Sequence, residues 1–452
     1  MAKKKGIKIG NYRIMPLGIA VVAVLVIAIA ALGVTLVLRS RSETAKDPSS
    51  NSIEPVFDVG DMDNPTVEPS QEPEISPTPT VEPTPTPEPT PLIRSATIRT
   101  IGEIGIQTNI LNAARVTQTG EDGTEEITYD FSPMFEYIED VVGDADWTVA
   151  DVEGPMGGEG ETGYTGDGLL NTPPQLMQAL KDAGVDMLTL ANDHALDTYF
   201  DGLIGTMKNA SAYGLDYIGA AQSQAEHDKA QVRDINGIQV GFLNYTTDAG
   251  ANAKNSSTDA LTYGLNVISE DFVQDIQALK DAGAEVIVCY VSWGKMGERT
   301  ANSEQETVLT YLAKAGVDVI IGYNPHTAQT AVASEITLED GSSHYVVALG
   351  ATGVFLSDFH TQYYDSGMIF EFTIQEKQEG GFEITNLQYI PTYVWREQTA
   401  EGYQYRVLAV GEWLEERPEG MSDAEYERMQ QVWTEIQQVM DAGKSGAQRS
   451  AS

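Results

Sequence analysis

Five short polar stretches carry side chains from which a catalytic or metal-binding site can be built, and each follows an apolar run. The fullest is Asn192-Asp193-His194 with Asp197 three residues on, bringing together amide, carboxylate and imidazole groups that bind metal ions or move protons. The others are Gly102-Glu103-Ile104-Gly105, Asp151-Val152-Glu153, Ser292-Trp293-Gly294 with Glu298 and Gln305 beyond it, and Gly322-Tyr323-Asn324-Pro325-His326. The apolar runs before them, such as Val185–Ala191 and Val286–Val291, read as buried strands. Polar strand ends are where α/β enzymes place their chemistry, because the carboxyl ends of parallel strands open onto a shared crevice.

The elements that must hold these tips follow one pattern. Pro174–Leu188, Asp271–Val288 and Glu304–Ile321 each read as a helix with apolar residues three and four apart, then Gly184, Gly283 or Gly316, then a β-branched strand. Gly202–Tyr213 reads as a further helix. More strands are expected at Ile98–Ile101, Trp147–Val152, Val240–Tyr245, Tyr345–Leu349, Met368–Ile374 and Glu383–Ile390, the last two as an antiparallel pair. The fold class expected is α/β, an α+β sandwich of mixed sheets flanked by helices. Past Met421, Ser422 and Glu425 form a capping box, and Met429, Trp433, Ile436 and Met440 share one helical face that docks either on its own domain or on a partner. Cys289 reads as a buried thiol, Trp293 as core or as a stacking platform, and His227, His344 and His360 as surface or packing residues.

Composition bounds the partners. The net charge of −40 argues against nucleic acid. No basic patch is visible in the sequence, so a polyanionic ligand would need bridging cations. The first 41 residues hold seven Lys or Arg and no Asp or Glu, leaving 20 basic against 67 acidic residues in the remainder. Residues 1–13 read as a cytoplasmic basic tail and 14–38 as one transmembrane helix, an uncleaved anchor that places the rest outside the cell. Residues 39–95 are rich in Pro, Thr and Glu and read as a disordered linker. The folded domain is expected at 96–411, a helical extension at 412–443 and a disordered tail at 444–452.

Taken in order, the motifs resemble the CapA family of bacterial capsule and poly-γ-glutamate synthesis proteins, itself similar to calcineurin-type metallophosphatases. The resemblance runs from about Ala96 to Gly411 and includes Ala191–Asp197, Asn236–Leu243, Ala315–Gly322 and Pro391–Val394. It implies a calcineurin-like metallophosphatase fold outside the membrane and an envelope polymer, or the machinery that makes it, as partner. The departures are as informative. Glu103 stands for an Asp, Asp151 for an Asn, Asp193 for an Asn, Ser292 for a His, and Tyr323 and Asn324 for two further His, while Gly350-Ala351-Thr352 replaces Gly-Asn-Phe.

A two-metal hydrolase gathers ligands on ions about 3.5–4 Å apart. With three imidazoles replaced, the ligand set implied here is mainly oxygen: Glu103, Asp151, Glu153, Asn192, Asp193 and Asn324, with His326. Such a set suits one hard divalent cation, manganese, magnesium or calcium, or none at all. Three functions compete. The first is a CapA-like protein of envelope-polymer assembly or export with weak or lost catalysis. The second is an active metal-dependent phosphoesterase-like hydrolase, in which His194 donates a proton and Asp197 orients it. The third is a non-catalytic surface binding module.

Overall fold

The computed structural model describes residues 7–9, 12–14, 93–120, 122–160, 163–338, 340–443 and 445–451. The chain divides into two units, Met1–Pro87 and Glu88–Ser452. In the first, the described residues are an antiparallel pair, Ile7–Ile9 with Tyr12–Ile14. The expected membrane span and nearly all of the linker lie outside the described residues. No helix among the described residues is long and apolar enough to cross a membrane.

In chain order the second unit begins β1 (Ser95–Ile104), α1 (Thr108–Ala114), β2 (Trp147–Val152), α2 (Gln175–Asp182), β3 (Met187–Thr189), α3 (Tyr199–Ala212) and β4 (Asp216–Ile218). It continues β5 (Val232–Ile235), β6 (Ile238–Thr246), α4 (Phe272–Asp281), β7 (Val286–Ser292), α5 (Ser303–Ala315), β8 (Val319–Tyr323), β9 (Ala331–Thr337) and β10 (Ser343–Leu349). It closes with β11 (Ser366–Glu376), β12 (Phe382–Thr399), β13 (Gly402–Ala409) and α6 (Asp423–Ala442).

Two mixed sheets result. The first has the order β4-β3-β2-β1-β11-β12-β13, parallel from β4 to β1 and antiparallel from β1 onward. The second has the order β5-β6-β7-β8-β10-β9, with a parallel centre and antiparallel edges. Strand alternation explains the layering. In β7, Val286, Val288 and Tyr290 join Ile98, Val149 and Phe370 of the first sheet in one core between the sheets. The intervening Ile287, Cys289 and Val291 face α4 and α5. The outer face of the first sheet packs Ala150 and Leu188 against α2 and α3. The architecture is therefore a helix–sheet–sheet–helix sandwich, the mixed α/β arrangement expected. Cys289 is a fully buried, free thiol whose proton burial holds more tightly.

The C-terminal helix docks on its own domain. Ser422 and Glu425 cap α6 reciprocally, and Met429, Val432, Ile436 and Met440 are buried. Trp433 is only partly buried and carries the Arg449 guanidinium 3.9 Å above its ring. Arg428 grips Asp365 through two hydrogen bonds of 2.8 Å and reaches Glu435 at 2.9 Å. The tail expected to be disordered instead adds Gln448–Arg449 as a short parallel pairing to β12. Four backbone-paired residues and the Arg449 cation–aromatic contact give it local order that composition does not show.

Two stability experiments follow. Arg428→Ala leaves the buried Asp365 carboxylate without its cation and is expected to cost about 2–4 kcal/mol in chemical denaturation. At the junction before β8, Asp318 accepts the Ile287 amide at 2.8 Å, and burial pushes its carboxyl up to about 6. A carboxyl raised in the folded state binds its proton more tightly there than in the unfolded chain, so stability is lost as pH rises through about 6. Asp318→Asn keeps the acceptor and is expected to gain over wild type across that window. The side chain keeps 27 % of its exposure, so solvent screening limits the gain at pH 8 to about 1 kcal/mol. An equal gain at pH 4.5 and pH 8 would contradict it.

Candidate metal centre

Glu103 is one of the side chains that bridge the two sheets. Glu103, at the end of β1, is 1 % exposed, and its Oε1 accepts the Asn324 amide from beyond β8 at 2.9 Å. Its Oε2 is buried and stands 2.6 Å from His326 Nδ1, with no other polar contact among the described residues. Glu153, just past β2, brings Oε1 to 3.6 Å from the same nitrogen. Ligand atoms of Glu103, Glu153 and His326 all lie within 4.8 Å of one another.

The loop that delivers the imidazole is strained. Asn324 and His326, either side of Pro325, have φ of 89° and 53°, values uncommon for residues with a Cβ. Asn324 is fixed there by its amide N–H on Glu103 and by Nδ2 donating to Trp293 O at 3.3 Å. Below Glu103, Gly102 packs so closely on Thr352 that a Cβ would overlap it.

Charge is concentrated in this volume. Asp151 is 1 % exposed and accepts Thr189 Oγ1 at 2.6 Å, and burial with the nearby Glu153 and Glu103 charges raises its carboxyl well above the usual range. Burial also raises Glu153, against the pull of His326. The half-buried Asp193 is raised by burial and lies within electrostatic reach of His194 and His326. For His326, burial opposes protonation, but the charges of Glu153 and Glu103, helped by Asp193, outweigh it and push the imidazole up to about 10. No Lys or Arg pairs with Glu103, Asp151 or Glu153 among the described residues. Three buried carboxylates around one imidazole, with no Lys or Arg to pair with them among the described residues, fit a divalent cation.

Of the residues expected to bind metal, Glu103, Glu153 and His326 converge, and Asp151 and Asp193 border them electrostatically. Asn192 and Asn324 use their amides to hold loops: Asn192 Nδ2 donates to Val152 O at 2.8 Å and its Oδ1 accepts His194 N at 3.1 Å. His194 Nδ1 meets Asp197 Oδ2 at 2.7 Å, and Asp197 is held from behind by the Leu170 amide at 2.7 Å. Burial again opposes protonation of His194, but the Asp197 hydrogen bond and the charges of Glu153, Asp197 and Asp193 raise it to about 9.

Residues 97–338, more than half of the chain, match the model of the bacterial capsule synthesis protein family PGA_cap. The chain belongs to that family. It is 28 % identical over 163 residues to the capsule biosynthesis protein CapA of Bacillus anthracis, covering 36 % of this chain and 39 % of that one. It is 25 % identical over 256 residues to the PGA biosynthesis protein CapA of Bacillus subtilis strain 168, covering 56 % of this chain and 64 % of that one. The chain thus spans less than two thirds of either relative. Among solved structures, it is similar to the NAD nucleotidase NadN of Haemophilus influenzae at 11 % identity and a TM-score of 0.40, over 78 % of this chain and 64 % of that one. A hypothetical protein from Thermus thermophilus is similar at 14 % identity and a TM-score of 0.35, over 66 % and 98 %. Both are distant likenesses.

Where the family's pattern has imidazoles, this PGA_cap chain packs its core. Ser292 is buried, and its carbonyl accepts the Thr247 amide at 2.9 Å. Tyr323 is fully buried and stacks on Tyr290 with ring centroids 6.0 Å apart and planes at 7°. Its hydroxyl has no hydrogen-bond partner and lies within electrostatic reach of Asp151 and Glu103. Trp293 is core: it is fully buried and donates to Gly350 O at 2.8 Å. Sequence reading missed Phe359, whose ring lies 5.4 Å from that of His326. No local spacing signals it, because it sits in an irregular loop.

Cation binding can be read as stability. At a Mn²⁺ concentration of 100 times Kd the wild-type protein is expected to gain about 2.7 kcal/mol. Glu103→Gln should lose that response. Asp151→Asn keeps the acceptor for Thr189 while removing a buried charge, so it should stabilise the metal-free protein by about 1–2 kcal/mol and weaken the response. Thermal denaturation with and without Mn²⁺ measures all three, and an undiminished response in Glu103→Gln would remove the centre.

Proposed function

We propose that this chain acts in bacterial capsule assembly or export, holding an acidic envelope polymer at a divalent cation bound by Glu103, Glu153 and His326. The observation that carries the reading is the convergence of those three groups, buried and short of positive charge, in a member of a capsule synthesis family. In this reading residues 14–38 anchor the chain in the cell membrane with the N-terminus cytoplasmic, and 39–95 form a stalk. Residues 96–411 form a calcineurin-like metallophosphatase domain outside the cell, with 412–443 as its helical extension. The partners are the polymer or its synthesis machinery, not nucleic acid.

A bound divalent ion supplies Lewis-acid polarisation of an oxyanion and a fixed point of attachment for it. The chain's own residues supply the rest. Glu103 and Glu153 hold charge that His326 offsets only in part and that no Lys or Arg among the described residues pairs with. His326 is aimed at both from a strained loop. Tyr290 and Tyr323 fill the space between the sheets and keep water out.

A second reading, residual phosphoester hydrolysis, is favoured by His194. Its imidazole is oriented by Asp197 at 2.7 Å, stays protonated at neutral pH and feels the charge of Glu153. It is placed to give a proton to a departing oxygen while Asp197 stabilises its orientation. The two readings part in one assay. Phosphodiester turnover with Mn²⁺ or Mg²⁺ that falls on the order of 10²-fold or more in a folded His194→Ala variant establishes hydrolysis. Cation and polymer binding without turnover leaves the binding role. Absence of both cation and polymer binding sinks the proposal and leaves a surface module without this site.

A further inference from the structure

The loop after β7, whose Gly297 amide bonds Pro325 O beside His326, also carries a cation that meets no carboxylate among the described residues. In a chain with 27 Lys and Arg against 67 Asp and Glu, an arginine that meets no carboxylate among the described residues is available to an anion. Arg94, Arg396 and Arg428 all pair with carboxylates. Arg299 has no carboxylate partner among the described residues. Its guanidinium carbon instead stands 3.7 Å over the ring of Tyr363. That stacking removes water from one face and leaves the in-plane N–H donors for an oxyanion.

The platform is held under strain. Tyr363 has φ of 78°, a left-handed conformation costly for a bulky residue. The fold fixes it from both sides, since Gln362 hydrogen-bonds Glu435 of α6 and Asp365 is gripped by Arg428 of α6. This is a second task for the C-terminal helix, besides covering the core.

Two routes tie the platform to the metal centre. Phe359 lies 5.4 Å from the His326 ring and 6.0 Å from the ring of Tyr364, the neighbour of Tyr363. Gly297, two residues before Arg299, donates its amide to Pro325 O at 2.8 Å, next to His326. A Cβ on Gly297 would also overlap the Tyr364 hydroxyl. On the far side of the same loop, His360 meets Arg396, which stacks 4.3 Å over Tyr403 and lies 3.6 Å from Asp358. The Arg396 charge is offset by Asp358, whereas Arg299 meets no carboxylate among the described residues.

We infer that Arg299, seated on Tyr363, forms an oxyanion-binding subsite flanking the metal centre, taking a carboxylate or phosphate of the acidic ligand held there. The inference deepens the proposed function and rests on it. Arg299 is a specificity residue and Tyr363 its positioning residue.

The test uses the purified full-length protein loaded with Mn²⁺ and titrated with γ-linked oligoglutamate and, separately, with inorganic phosphate. Mn²⁺ affinity is measured on its own by electron paramagnetic resonance. Arg299→Gln is expected to keep the Mn²⁺ affinity and the thermal midpoint while weakening the bound anion about tenfold or more. Tyr363→Gly removes the platform but suits φ of 78°, so anion affinity should fall while thermal stability holds or rises. A purely structural tyrosine would lower both. Binding of oligoglutamate alone assigns a carboxylate ligand, and binding of phosphate alone assigns a phosphate. Wild-type anion affinity in Arg299→Gln, or binding of neither anion to the Mn²⁺-loaded wild type, overturns the subsite while the centre stands. Failure of the wild type to bind Mn²⁺ overturns the centre and the subsite together.

Discussion

Burial of like charge is the constraint around which this domain is arranged. Glu103, Asp151 and Glu153 are 1 %, 1 % and 6 % exposed and share a single imidazole. Isolated carboxylates in a low-dielectric interior are so unfavourable that they bind protons or find cations. The raised carboxyls of Asp151 and Glu153 and the raised imidazole of His326 are two sides of that balance. Without a metal, protons and His326 supply the missing positive charge. A divalent cation would relieve the same imbalance more fully.

The geometry that sustains the cluster comes from the strands and from one strained turn. β1 and β2 run parallel in the first sheet and end together, so Glu103 and Glu153 arrive side by side. β8 belongs to the other sheet, and only the left-handed backbone at Asn324 and His326 turns its end back across the gap. The Asn324 amide on Glu103 then locks the two sheets at this point. A flexible loop could not hold an imidazole against two carboxylates without a large loss of entropy. The strain is supported by the packed core beneath it, where Tyr323 stacks on Tyr290 and Trp293 is hydrogen-bonded to Gly350. Positions that would carry imidazoles in the family's pattern serve here as structural support.

Much of this was legible in the sequence, for a physical reason. Buried parallel strands must be apolar throughout, so their polar ends stand out sharply, as at Glu103, Asp151 and His194. The glycine-capped helices before β3, β7 and β8 are equally local signals. The strand expected over Val185–Ala191 is shorter, Met187–Thr189, because the Val185 amide closes back on Leu180 of α2 and the Leu190 and Ala191 amides turn to Asn244 of β6. What sequence could not show is which tips meet. Asn192 and Asn324 carry ligand-type side chains, yet both are committed to backbone groups, a distinction that only three-dimensional hydrogen bonding makes. Phe359, Arg299 and Tyr363 lie in irregular loops, where no periodicity reports position.

Under the proposed function, the acidic surface and the Arg299 guanidinium act together. A net charge of −40 repels a polyanion at long range, but at physiological salt such repulsion is screened beyond roughly 8 Å. Inside that distance only local charge matters, and there stand a carboxylate cluster that fits a divalent cation, the imidazole of His326, and the Arg299 guanidinium over Tyr363, which meets no carboxylate among the described residues. Weak repulsion elsewhere then has a use. Under the proposed function, an acidic chain drawn to one spot and repelled from all others would not spread over the surface, and loss of the cation or of the guanidinium contact would release it. Affinity concentrated in a few charged contacts, with the remaining surface set against binding, is how specificity is reached by opposing the alternatives as well as favouring the intended contact.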